Sequence, residues 1–262
     1  MTDQLVFHVG FHKTGSTWLQ KRIFQENMQF NLLNNFVKPW TDDIIIYLVK
    51  TNILEFDIDF FRELVNKKYV KDKINIVSAE RLSGHPYSGG FDAEVIARKI
   101  QMAFPDSKIL IVSREAEAFK KSCYKQIVKE GYLGRFSDFD RDKSWKSSGP
   151  NNTYFQQDLT INLYTSLFKS VLLLDFEVFI KNKVVFMNRL FDFCNLENTI
   201  DSTFYEEKIN KTVSNRRIRA LRVLNRWYKS EYNMFPLVSL NYNIIIKLAY
   251  INSIFFSNKG FK

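Results

Sequence analysis

Four apolar runs in this chain each end in residues that carry charge or hydroxyl groups, and such strand ends are where open α/β sheets bind ligands. The first, Val6-Phe7-His8-Val9, leads into Gly10-Phe11-His12-Lys13-Thr14-Gly15-Ser16-Thr17. Gly10 and Gly15 let the backbone turn tightly and approach an anion, while Ser16, Thr17 and the first helical N–H groups can point at its oxygens. Lys13, inside the loop, can neutralise charge that develops on a leaving group. The second run, Ile74-Asn75-Ile76-Val77, ends in Ser78-Ala79-Glu80, and a carboxylate there can take the proton of an attacking hydroxyl. The third, Lys108 to Val112, ends in Ser113-Arg114, with Ser122 eight residues on. Eight residues are about two helical turns, so an arginine and a hydroxyl could grip one phosphate together. The fourth, Val171 to Leu174, ends in Asp175.

The first loop differs from a Walker A loop at one decisive place. There the lysine follows the second glycine, whereas here that position is Ser16 and the lysine is Lys13, which argues against ATP hydrolysis. Gly-x-x-Lys-Thr-Gly-Ser-Thr beside a strand resembles the 5′-phosphosulfate loop of sulfotransferases that use 3′-phosphoadenosine 5′-phosphosulfate (PAPS). Arg114 and Ser122 fall on the two positions of that family's 3′-phosphate site. The Ser-x-Glu strand end at Glu80 is similar to that of bacterial and glycan-modifying members. The resemblance spans about residues 5–195. It implies a P-loop-like fold and PAPS as co-substrate, held by Lys13, Thr14, Gly15, Ser16, Thr17, Arg114 and Ser122. It further implies adenosine 3′,5′-bisphosphate as product, Glu80 as general base, Lys13 on the leaving phosphate, and no required metal. The acceptor it favours is a hydroxyl on a glycan or glycolipid, with a small alcohol, a phenol or an amine as other candidates. His12 and His85 are the rival bases: His12 lies in the phosphate loop, where contact with the donor is the simpler role, and His85 in a Gly-His-Pro turn. His8, in mid-strand, reads as a satisfied core residue.

These residues must be positioned by a sheet and its helices. Apolar runs at 5–9, 74–77, 108–113 and 171–175 alternate with helical patterns, which predicts an α/β chain in three layers, a central parallel sheet flanked by helices. The first helix is expected to begin at Ser16 or Thr17 and to bury Trp18, Leu19, Ile23 and Phe24. Residues 29–73 are expected to hold helices over Ile44–Leu48 and Phe56–Val65, and Asp175 to start the next turn. At 262 residues with 45% hydrophobic content, the chain suits a single domain, 1–262. Within it, residues 131–152 read as a lid or acceptor loop and 195–262 as a helical C-terminal part. Asp138, Asp140, Arg141, Lys143, Trp145 and Lys146 make a candidate sugar-facing wall, and Lys211, Arg216 or Arg217 a cover for the nucleotide.

The net charge of +10 would steer anionic donors into the cleft. No recognition helix, zinc spacing or RNA-binding aromatic motif points to nucleic acid. Cys123 and Cys194 have no metal or redox spacing, and with no signal peptide they suggest a reducing, cytoplasmic setting in a bacterium. The apolar tail, Tyr242 to Phe256, is too short and polar for a membrane span. Core packing, a dimer contact and peripheral membrane contact remain open for it. The alternatives to sulfuryl transfer are a P-loop kinase using Mg-ATP, and a non-catalytic nucleotide- or polysaccharide-binding protein.

Overall fold

The computed structural model describes residues 4–86, 89–139, 152–200, 213–230, 233–238 and 240–255. The chain groups into two compact units, residues 1–119 with 153–207, and residues 120–152 with 208–262.

The first unit is built on a five-stranded sheet. Its strands are β1 (Leu5–Gly10), β2 (Phe30–Leu32), β3 (Ile74–Ala79), β4 (Lys108–Ser113) and β5 (Val171–Asp175), in the order β2-β3-β1-β4-β5. Every pairing is parallel, with Val9 opposite Ala79 on one side and Ile111 on the other. β1 and β3 are buried along their whole length, as expected for central parallel strands covered on both faces. The four expected strands are present. β2 was not foreseen, because three residues at a sheet edge carry too little pattern to register as a strand.

Alternation along β1 separates the two helical layers. Phe7 meets Phe104 at a ring distance of 6.0 Å, and Phe104 meets Phe61 at 5.7 Å. This layer contains α2 (Asp43–Lys50), α3 (Ile58–Asn66), α4 (Ala93–Ala103) and α7 (Gln157–Leu167), with α4 touching each of the others. α2 and α3 fall where the sequence expected helices, each started by an aspartate that accepts two backbone N–H bonds, Asp42 and Asp57. His8 faces the opposite layer, its ring 5.4 Å from Phe24. There α1 (Ser16–Trp18) continues as a π-helical turn, Leu19–Gln25. It packs with α8 (Phe176–Lys181) and α9 (Lys183–Phe193) through Trp18 on Phe179 at 5.1 Å and Phe179 on Phe186 at 5.2 Å. Each such buried aromatic contributes about 1.5–3 kcal/mol, which fixes the helix behind the glycine-bracketed loop.

The second unit holds α10 (Asn215–Leu224), α11 (Tyr242–Phe255) and most of α5 (Ala116–Lys129). Its polar hub is Asn225, fully buried, whose Nδ2 donates to the carbonyls of Val128 at 2.7 Å and Tyr132 at 3.1 Å. No described helix is long and apolar enough to cross a membrane. Asp140, Arg141, Lys143, Trp145, Lys146 and Lys211 lie outside the described residues.

Candidate active site

The loop after β1 departs from regular backbone at two residues. Lys13 has φ 67° and Gly15 φ 82°, so a lysine as well as a glycine occupies the left-handed region. A non-glycine there costs about 1–3 kcal/mol and persists where surrounding structure holds it. Two contacts hold it here: the Thr14 hydroxyl donates to the Phe11 carbonyl at 2.7 Å, and Arg114 Nη1 donates to the Lys13 carbonyl at 2.8 Å. Gly15 can be nothing larger, since a Cβ would lie 2.9 Å from the Phe176 ring. At Gly10 a Cβ would lie 2.6 Å from the Ser16 hydroxyl, which would have to turn away to admit it. The four loop residues from Thr14 to Thr17 therefore divide their work. Thr14 and Ser16 are buried, whereas Thr17 is exposed at the start of the helix and Gly15 lies between these extremes.

Glu80 opens a short 3-10 turn, Glu80–Ser83, at the end of β3. Because β3 lies beside β1, the residues that follow the two strands meet: His12 Nδ1 lies 2.7 Å from Glu80 Oε2. His12 was expected to touch the donor, and its pairing with the carboxylate is a finding of the structure. Tyr154 supports the pair, its ring 6.2 Å from His12 and its hydroxyl 3.3 Å from that of Ser83. Burial raises the Glu80 pKa, but His12, by charge and hydrogen bond, together with the charges of Lys13 and His8, outweighs it, and the net shift is below the ordinary carboxylate value. Glu80 is thus an ionised carboxylate at neutral pH. His85 takes a different role, its backbone N–H donating to Asp92 at 2.7 Å, while Asp92 also pairs with Arg81 at 2.5 Å.

Behind Glu80 lies a buried polar row. His8 Nδ1 and the Ser78 hydroxyl are 2.7 Å apart, Gln20 donates to that hydroxyl at 3.0 Å, and Asn34 donates to the Ser78 carbonyl at 3.0 Å. His8 is not fully satisfied, since its Nε2 is buried without a hydrogen-bond partner. Burial, only partly opposed by the charge of Glu80, lowers its pKa to about 4. The folded chain therefore holds fewer protons than the unfolded chain between the ordinary histidine value and pH 4. Stability is expected to fall as pH drops through that window, by about 3 kcal/mol from this residue. Urea denaturation across the window checks this: the slope should flatten in His8→Gln, and an unchanged slope would assign the proton uptake elsewhere.

Arg114 follows β4. One side chain, Gln157, holds both its backbone groups, accepting from Arg114 N–H at 2.9 Å and donating to Arg114 C=O at 2.7 Å. The guanidinium lies over the Phe176 ring at 4.8 Å and 3.8 Å from Glu177. Burial, followed by a hydrogen bond to the Asp175 carboxylate, raises the Glu177 pKa. Asp175 starts α8 as expected, accepting from Glu177 N–H at 2.8 Å. Ser122 lies on α5 in the second unit.

The structure thus gathers Lys13, Glu80 and His12, and links Arg114 to them through the Lys13 carbonyl. Sequence reasoning missed Gln157, for which no local signal exists, and the ring of Phe176 beneath Arg114. Among the described residues, no cluster of three or more His, Cys, Asp or Glu could hold a metal ion.

The arrangement defines an α/β protein with a glycine-bracketed loop after its central strand. No family model matches the chain, and no curated protein matches its sequence. A solved structure with the same fold is a sulfotransferase from Alicyclobacillus acidocaldarius, with a TM-score of 0.56 and 15% identity over 78% of this chain and 85% of that one. Two looser likenesses are the sulfotransferase domain from the curacin biosynthetic pathway and mouse sulfotransferase SULT7A1 complexed with PAP. The first has a TM-score of 0.44 and 11% identity over 78% of this chain and 77% of that one. The second has 0.40 and 15% over 78% of this chain and 62% of that one.

Proposed function

We propose that this chain is a sulfotransferase that moves a sulfuryl group from PAPS to an acceptor hydroxyl, and that it works in the cytoplasm. The observation that carries the reading is the meeting of Lys13 with the Glu80–His12 pair at the ends of adjacent strands. In the proposed reaction the acceptor oxygen attacks sulfur in line. The bond from sulfur to the bridging phosphate oxygen breaks, and adenosine 3′,5′-bisphosphate departs. Lys13 and the loop amides stabilise the negative charge on the departing phosphate. Glu80 takes the acceptor's proton. Its Oε2 is bound by His12, which leaves Oε1 to receive that proton. Donor binding also tunes the base: anionic charge beside Lys13 offsets the pull of its ammonium on Glu80 and raises the carboxylate's proton affinity.

Thr14, Gly15, Ser16 and Thr17 form the donor loop, and Arg114 with Ser122 the 3′-phosphate site. A hydroxyl on a glycan or glycolipid is the acceptor class, by the Ser-x-Glu strand end. In this proposal residues 1–262 act as a single sulfotransferase domain, with residues 131–152 as a lid or acceptor loop.

Calorimetry with adenosine 3′,5′-bisphosphate tests the donor. Metal-independent binding is expected, weakened about tenfold or more in Arg114→Ala through loss of a charge-assisted contact. A preference for ATP with magnesium would instead favour a kinase. Binding without turnover across an acceptor screen would favour a nucleotide-binding protein.

A further inference from the structure

We infer that the second unit carries a docking face for an anionic lipid bilayer. Its apolar element is the segment 234–238. Met234, Phe235, Leu237 and Val238 are 59, 94, 75 and 58% exposed, and only Pro236 interrupts them. Single exposed apolar residues are ordinary, but a contiguous run of large ones marks an interaction site.

This run is held in place by its own backbone. Leu237 N–H donates to the Arg226 carbonyl at 3.0 Å, and Leu240 N–H to the Trp227 carbonyl at 2.7 Å. Asn233 Nδ2 donates to the carbonyls of Asn225 and Tyr228, and Ser230 and Asn233 exchange both backbone bonds. Phe235 and Leu237 are thus presented outward from a built turn, ready to insert without first being ordered.

Charge selects the occupant. Residues 213–250 contain seven Lys and Arg against one acidic residue, Glu231. Arg226, whose carbonyl anchors Leu237, is exposed, as are Arg216 and Arg219 on α10 and Lys229 after it. α11 extends the pattern. Ile245 and Ala249 are buried, while Ile244 and Leu248, one turn apart, are 46 and 40% exposed beside exposed Lys247. Exposed aromatic and aliphatic groups on a turn tied to a cation-rich helical segment suit an anionic bilayer: the cations meet lipid phosphates while Phe235 and Leu237 enter the acyl boundary. An apolar protein partner would not require the excess of cations over acidic residues. This inference does not depend on the proposed reaction.

Co-sedimentation of the full chain with vesicles provides the test, using equal parts phosphatidylglycerol and phosphatidylcholine against phosphatidylcholine alone. Binding is expected to the anionic vesicles only and to weaken with salt. It should fall about tenfold or more in Phe235→Ser with Leu237→Ser, and similarly in Arg219→Glu with Arg226→Glu. Circular dichroism establishes that each variant is folded, and binding of adenosine 3′,5′-bisphosphate shows whether the donor site is kept. Several outcomes overturn the inference: no binding to anionic vesicles, equal binding to neutral ones, or undiminished binding by both folded variants. So does a dimer in solution that the Phe235 and Leu237 substitutions dissociate, or DNA that competes the chain off the vesicles.

Discussion

Glu80→Gln is expected to lower turnover by about 10²- to 10⁴-fold, the range typical of a lost general base, while binding of adenosine 3′,5′-bisphosphate stays within about threefold. Gln keeps the length of the side chain and an oxygen for His12, so the pair's geometry survives and only the proton acceptor goes. The pH profile sharpens the expectation. Although burial raises the Glu80 pKa, His12, Lys13 and His8 bring it below the ordinary carboxylate value. Glu80 therefore stays ionised through the neutral and mildly acidic range, and on the proposed mechanism activity should be lost only as pH falls through the depressed pKa. The variant should lack that acid limb. Steady-state kinetics with PAPS and an accepted alcohol, run in parallel on His12→Asn, decide the matter. Full turnover in Glu80→Gln with collapse in His12→Asn would give the proton to the histidine.

Lys13→Met is expected to cost about 10²- to 10³-fold in turnover, comparable to removing one preorganised donor from a developing anion. Methionine retains the apolar stem but not the ammonium. The link from Arg114 is made to the Lys13 carbonyl, so the substitution leaves that bond in place and separates charge from scaffolding. A change confined to KM would mean that Lys13 contributes to uniform binding instead of transition-state stabilisation. Single-turnover measurements at saturating donor distinguish the two results.

Much of this site is legible in the sequence because β1, β3 and β4 are central, and central parallel strands are written as unbroken apolar runs with chemistry at their ends. Glu80 and Arg114 follow such strands directly, and Lys13 lies three residues past the end of β1. The His12–Glu80 pair was not legible, since it depends on strand order: β1 and β3 are separated by 63 residues, Gly10 to Ile74, yet lie side by side. β2 escaped notice because its three residues have no period to read. The buried row of His8, Ser78, Gln20 and Asn34 escaped for another reason. Each residue taken singly reads as an ordinary strand, helix or loop residue, and only tertiary packing turns them into partners.

Gln157 gives the site a history as well as a shape. Its amide closes on both backbone groups of Arg114 across 43 residues of sequence, and Arg114 reaches Lys13 across 101. During synthesis only the local contact of the glycine-bracketed loop, the Thr14 hydroxyl on the Phe11 carbonyl, is available from the opening residues. The arginine end must wait until α7 has emerged and docked, because until then its N–H and C=O have no amide to close them. Long-range contacts of this kind form late, after the chain entropy of closing large loops has been overcome. A nascent or truncated chain ending before residue 157 would therefore lack the amide that seats Arg114, so the loop after β1 and its arginine support are completed only late in folding.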